Sequence, residues 1–472
     1  MAKREYSVGK VPVLEKIAFS IGGMCNDLMG NAIMVLAMPI LTVGFGLNAS
    51  LVGLAIGIPR FFDAILDPVM GNISDNTRTR FGRRRPYIFA GSLIGGVLFA
   101  LLWRISPAWS QMQMIWYFGV IAFLFFVAYS VFIVPYNGLA SELTMDVDDR
   151  TRVMAYRAFF GSVAGLITPW AYKLCFVKAL GETELEAVKN VGIIFGVLII
   201  ITGLIPALVS IENPAAQEQP KIKLLRSVRE SMTNRPFLLL VGMVFLILMG
   251  LYLIMPMQLY LGIYYLFGGD KSAAAQMGGI AGTLYAIISL LATPMVAWLG
   301  THFGKVRVLL WAQGTLICGS LLSWFLYTPA NPYLSLICMG LMSPAMACVW
   351  ILLGSMLADV CDYDEVSTGL RREGMYGAIY AFICKAGVAS VLAVSGFLVN
   401  WAGYDASLKL QSEHCILWMR IMFAVVPALF AAFAVICTKA YPLSEQRMHE
   451  VRLELNSRKI RNEIKGLEVR NN

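Results

Sequence analysis

The stretch R-F-F-D-A-I-L-D-P-V-M-G-N-I-S-D-N-T-R-T-R-F-G-R-R-R-P, residues 60–86, decides how this chain is built. Its first part continues an apolar segment, yet it carries Asp63 and Asp67, four residues apart. On a helix that spacing stacks both carboxylates on one face, with Arg60 three residues earlier on the same side. A carboxylate in a membrane helix costs roughly 2.5–3.5 kcal/mol on the insertion scale. Such a pair must therefore face protein or a water-filled cavity, and hold a cation or a proton there. The second part places arginines at 78, 80, 83, 84 and 85, a charge run that cannot cross a bilayer and so stays in the cytoplasm.

Composition sets the class. The chain is 58% hydrophobic and only 14% charged, against about 25% charged for a soluble domain. That balance predicts an all-α polytopic membrane protein. The net charge of +9 reads as basic loops beside anionic lipid, not as a nucleic-acid surface, because the basic residues sit between apolar runs. The nine cysteines are scattered without C-x-x-C or zinc spacing, and His302, His414 and His449 lie far apart. No cofactor is expected, and no metal beyond a coupling Na⁺ at Asp63 and Asp67. The polar N-terminus, M-A-K-R-E-Y-S-V-G-K, lacks a cleavable signal, so the first helix is expected to insert uncleaved.

Apolar windows predict twelve spans, at 17–43, 50–74, 86–105, 112–138, 153–177, 190–211, 236–266, 275–301, 307–327, 331–357, 375–401 and 416–438. The longest polar connection falls between the sixth and seventh. The expected organisation is a six-helix bundle over 1–211, a cytoplasmic central loop at 212–235, a second bundle over 236–440 and a cytoplasmic amphipathic tail at 441–472. Lys and Arg number 28 on the side of the termini and 6 on the other, which places both termini in the cytoplasm of a cell (inner) membrane protein. The halves echo one another: Gly71-Asn-Ile-Ser-Asp75 with Gly82-Arg-Arg-Arg joins spans two and three, and Gly300-Thr-His-Phe-Gly304-Lys-Val-Arg307 joins spans eight and nine. Matching loops predict parallel repeats, and arginines there can bond helix C-terminal carbonyls. In the tail, Met448, Val451, Leu455, Ile460, Ile464 and Leu467 share one helical face behind Ser444, a surface helix by pattern.

Asp27, Asp63, Asp67, Arg157 and Lys385 are ionisable groups at membrane depth. Their plainest role is to form neutral internal pairs, such as Arg60 with Asp27 or Lys385 with Asp63. Buried pairs add little net stability over apolar replacements, so keeping several points to function. Trp350 lies too deep for an interfacial anchor. It and Tyr129 read either as packing aromatics or as surfaces on which a sugar ring stacks.

The motifs D-A-I-L-D-P-V-M-G, G-R-R-R-P, V-P-Y-N-G-L-A-S-E-L-T-M-D, R-T-R-V-M-A-Y-R, N-R-P-F-L-L-L and L-A-D-V-C-D-Y-D-E follow one another along nearly the whole chain. Together they resemble the glycoside–pentoside–hexuronide:cation symporters, the melibiose-permease branch of the major facilitator superfamily. The resemblance implies the major facilitator fold, twelve transmembrane helices as two pseudo-symmetric bundles of six. It implies cation binding by Asp63 and Asp67 with Ser130 and Lys385 beside them. It further implies a sugar site that includes Asp27, preceded by Asn26, and Trp350, with Tyr129, Asn137 and Arg157 as further candidates. The sequence departs from melibiose permease at Ile133, Asn137, Leu66 and Ala158, so the galactoside pocket is not preserved. The loss of a carboxylate at Ile133 favours H⁺ over Na⁺. An inner gate is also expected, with Asp359 and Asp362 pairing with Arg150 while the site faces outward and Arg371 nearby; a solvated charge cluster is the simpler reading.

The expected function is import of a sugar, glycoside or uronide with H⁺ or Na⁺ by alternating access, in a monomer. Two rivals are a cation-coupled carrier of an amphipathic lysolipid-like solute, and a sensor that signals through its tail without transport. With no nucleophile–base pair or metal constellation in the sequence, an enzyme is not expected.

Overall fold

Capping residues set where many of the helices begin. Asn48 accepts from the Ser50 and Leu51 amides at the head of α2 (Ala49–Asn76), and Ser110 with Gln113 forms a reciprocal capping box on α4 (Gln111–Glu142). Thr183, Asn234, Asp270 and Ser412 cap α6 (Glu184–Val209), α7 (Arg235–Tyr260), α8 (Lys271–Phe303) and α12 (Glu413–Lys439). The remaining helices are α1 (Val13–Met38), α3 (Arg85–Leu102), α5 (Val147–Ile167), α9 (Lys305–Leu326), α10 (Ser335–Thr368), α11 (Glu373–Trp401) and the tail helix α13 (Glu445–Asn471). This computed structural model describes residues 11–143, 147–210, 212, 233–369, 372–406 and 408–471; for 141, 142, 147, 148, 150 and 459–471 it describes the helix and not the side chain. Arg371 and the side chains of Arg150, Ile460, Ile464 and Leu467 therefore lie outside the description.

Eleven of the described helices are long and apolar enough to cross a membrane. The twelfth predicted span is α5, which continues through a short 3₁₀ turn into Ala171–Leu174. Asp148, Asp149, Arg150, Arg152 and Arg157 in its first half hold its mean hydropathy down. It nonetheless packs lengthwise against α1 like its neighbours.

Helix pairing repeats with a shift of six. In the first half α3 packs on α4 and α6, α1 on α5 and α6, and α2 on α4; in the second, α9 packs on α10 and α12, α7 on α11 and α12, and α8 on α10. The connecting loops repeat too. Arg85 donates to the Ala207 and Leu208 carbonyls at the end of α6, at 2.7 and 2.9 Å. The Glu212 carboxylate accepts from the Arg83, Arg84 and Arg85 amides at 2.7, 2.9 and 2.9 Å, an anion at the N-terminus of α3. Glu445, equally placed after α12, lies over Gly304 at the head of α9.

The halves meet most extensively along α2 and α11. Close approach depends on glycine: a Cβ on Gly57 would stand 2.8 Å from the Ala389 carbonyl, and one on Gly396 would stand 2.0 Å from the Ala49 carbonyl. At the ends remote from the chain termini, polar bonds join the halves. Thr42 meets the Tyr260 hydroxyl at 2.6 Å, Trp170 donates to Thr283 at 2.8 Å, Asn400 donates to Asn48 and Ser50, and Lys271 pairs with Glu184 at 3.3 Å. At the opposite end the ion pairs Arg84–Asp75, Lys16–Asp149, Lys305–Asp359 and Arg372–Asp364 each stay within one half. The tail helix returns to the second half, where Met448 and Val451 are buried against its core.

Candidate cation and solute site

Asp63 and Asp67 occupy the middle of α2, with Pro59 and Pro68 just outside them. Each proline removes an amide donor, and the deformation this allows is tolerated in a spanning helix where neighbouring groups satisfy the freed carbonyls. The two carboxylates do share one flank, and it faces protein. Asp63 is fully buried. Ser130, on α4, donates to Asp63 Oδ1 at 2.6 Å and lies 3.1 Å from Asp67 Oδ1.

The second half supplies the counter-charge. Lys385, midway along α11, reaches between the pair: its Nζ lies 2.6 Å from Asp67 Oδ2 and 3.1 Å from Asp63 Oδ2. Arg60 Nη1 stands 3.2 Å from the same Asp63 oxygen. Of the two internal pairings considered for these side chains, Lys385 with Asp63 occurs, and Arg60 turns to Asp63 instead of Asp27. Two carboxylates and two cations leave the cluster electrically neutral. Any cation that enters must therefore compete with the protein's own ammonium group, and a proton arriving on Asp67 would release Lys385.

A second polar wall lies between α1 and α5. A cavity of about 420 Å³ is lined there by Asn26, Asp27 and Asn31 of α1 and by Arg157, Gly161 and Ser162 of α5, among others. Gly161 gives Asp27 its place, because a Cβ on it would sit 2.4 Å from Asp27 Oδ2. Arg157 donates to Asn137 at 2.6 Å and lies over the Tyr136 ring. Carboxylate, amide, hydroxyl and guanidinium together can bind a polyhydroxylated solute through paired donors and acceptors.

The structure thus brings Asp63, Asp67, Ser130 and Lys385 into one cluster, and Asn26, Asp27 and Arg157 around one cavity. Asn137 lines no part of that cavity and meets it only through its bond from Arg157. Tyr129 stands behind the cavity wall, its hydroxyl donating to Asn26 at 2.9 Å. Trp350 is 44% exposed on α10 and lines no part of this cavity. In the acidic cluster at the end of α10, Asp359 pairs with Lys305 at 2.6 Å and with Arg452 of the tail at 3.1 Å, and Asp364 pairs with Arg372 at 2.8 Å. Asn31 and Ser162 were not among the sequence candidates. Asn31 follows Asp27 by one helical turn and was accessible to the same spacing rule that found the α2 pair.

Residues 18–445 match the family described as MFS/sugar transport protein. The chain belongs to that family. It is thus a polytopic membrane transporter and not an enzyme. Within the family's reach it is 24% identical to a putative glycoside/cation symporter of Escherichia coli, over 93% of this chain and 94% of that protein. It is 24% identical to an isoprimeverose transporter of Lactiplantibacillus pentosus, over 92% and 90%. A sphingosine-1-phosphate transporter of Xenopus tropicalis is 23% identical, over 96% and 92%. Among solved structures, that of a D-xylose–proton symporter superposes with a TM-score of 0.64 at 14% identity, covering 89% of this chain and 96% of the other. At that identity the likeness speaks for the fold.

Proposed function

We propose that this protein carries a sugar or glycoside across the membrane together with a cation. The observation that carries the reading is the Lys385 ammonium held between Asp63 and Asp67, at 3.1 and 2.6 Å, because it links the two halves through groups that a cation can displace. With both carboxylates paired to Lys385 and Arg60, the helices α2 and α11 are tied. Neutralising one carboxylate loosens that tie and frees side chains near the solute cavity. Each ligand then strengthens the other's binding, and the loaded protein exchanges between its outward and inward forms.

The coupling ion we favour is H⁺. Asp63, Asp67 and Ser130 present few oxygens for Na⁺, whereas a proton needs only one. The joined ends remote from the termini, with the pairs Arg84–Asp75, Lys16–Asp149, Lys305–Asp359 and Arg372–Asp364 lying within single halves at the other among the described residues, support a form open toward the side of the termini. By the charge asymmetry of the loops that side is the cytoplasm.

A lysolipid-like solute is the second reading, favoured by the likeness to the sphingosine-1-phosphate transporter. The Asp27–Arg157 cavity, with three amides and a hydroxyl in or beside its wall, argues for the sugar. Counterflow in proteoliposomes, screened with isoprimeverose, xylose and methyl glucuronide against sphingosine-1-phosphate, at two pH values with and without Na⁺, tests both. Sugar exchange that responds to pH supports the proposal. Exchange of the lipid alone overturns it.

A further inference from the structure

We propose that Tyr129 is the relay by which the cation site and the solute cavity sense one another. This rests on the reading of both sites given above. Tyr129 is only 6% exposed and touches both sites at once. Its ring centroid lies 5.3 Å from the Arg60 guanidinium carbon and 5.3 Å from Lys385 Nζ, the two cations that neutralise Asp63 and Asp67. Its hydroxyl donates to Asn26 Oδ1 at 2.9 Å, and Asn26 lines the cavity beside Asp27.

The physics of the relay follows from its two ends. A ring face attracts a cation, and the attraction is strongest where water is excluded. A proton or metal cation on the carboxylates displaces Lys385 or Arg60 and alters the cation held on that face. The ring is rigid from Cβ to the hydroxyl, so a tilt at the face moves the oxygen that orients Asn26. Asn26 is half-buried in the cavity wall and takes this bond on its Oδ1, so a shift of the hydroxyl either turns the amide with it or breaks the bond. Asn26 thereby presents a different set of donors and acceptors to the cavity according to the charge state of Asp63 and Asp67. Tyr129 acts through its neighbours and is a positioning residue.

The test needs no knowledge of the solute. A cysteine placed by Asn31→Cys lies in the cavity wall, and its labelling rate with a small charged methanethiosulfonate reports the state of that wall. The rate is measured in full-length protein with and without NaCl, and at acidic and alkaline pH. A cation or pH change should alter the rate several-fold, and Tyr129→Phe, which keeps the ring and removes the hydroxyl, should abolish most of that change. Asn26→Leu, which removes the acceptor, should do the same and carries the test if Tyr129→Phe fails to fold. A cation response of undiminished size in both variants overturns the relay, as does a rate indifferent to cation and pH with Tyr129 intact. Asp67→Asn separates the two levels. If it leaves the cation response in place, the cation-site reading itself fails; if it removes the response while Tyr129→Phe does not, only the relay fails.

Discussion

Replacing Lys385 with alanine takes away the one positive group shared by both carboxylates. Asp63 is fully buried and Asp67 26% exposed, so the charges left behind are poorly hydrated. Removing one partner of a buried ion pair costs about 3–5 kcal/mol. Arg60 still faces Asp63 at 3.2 Å and water reaches part of Asp67, which argues for the lower end. A cation that enters the vacated position recovers most of that energy. About 3 kcal/mol corresponds to roughly a hundredfold tighter cation binding. The Lys385→Ala protein should therefore bind its coupling cation far more tightly than the parent, yet turn over slowly because release becomes the hard step. Titration calorimetry with Na⁺ at fixed pH, paired with the pH dependence of the thermal midpoint, measures both candidate ions. Cation affinity that is unchanged or weaker in a folded Lys385→Ala protein would refute the displacement argument.

Two further outcomes follow from the packing between halves. Gly57→Val forces two methyl groups toward the Ala389 carbonyl and the Ala393 side chain, where even one Cβ meets atoms at 2.7–2.8 Å; overpacking of this kind costs typically 1–3 kcal/mol, so the thermal midpoint should fall while Gly314→Val, facing open space, leaves it in place. Lys271→Glu turns an ion pair with Glu184 into a repulsion at the joined ends. Cysteine labelling near Thr42 should then speed up, and the exchanged pair Lys271→Glu with Glu184→Lys should restore the parental rate.

The helices were legible because lipid tolerates little else: long apolar runs bounded by caps and charge gave every span to within a few residues at most ends. The exceptions have physical causes. The helix expected to end at 357 continues to Thr368, since D-V-C-D-Y-D-E-V-S-T stays helical, with Asp359 paired to Lys305 and Arg452 and Asp364 to Arg372. The helices expected to begin at 153 and 190 start at Val147 and Glu184, because charged residues that depress hydropathy do not break a helix. The α2 carboxylate pair was legible from its spacing. Lys385 lies 318 positions from Asp67, and no local pattern joins them; its charge at membrane depth marked it as a partner for Asp63, and family likeness set it beside both carboxylates. The i, i+3 spacing of Arg60 and Asp63 put them on one side, whereas the stand of Tyr129 between two sites depends on side-chain orientation and helix tilt, which spacing alone does not encode.

The central claim is that Asp63 and Asp67 bind a cation and lend that binding to a solute. Proteoliposomes holding the double variant Asp63→Asn, Asp67→Asn should lose accumulation against a gradient, with pH and Na⁺ gradients each imposed in turn, while energy-independent counterflow of the same sugar continues. Accumulation at the parental level by the double variant would contradict the account.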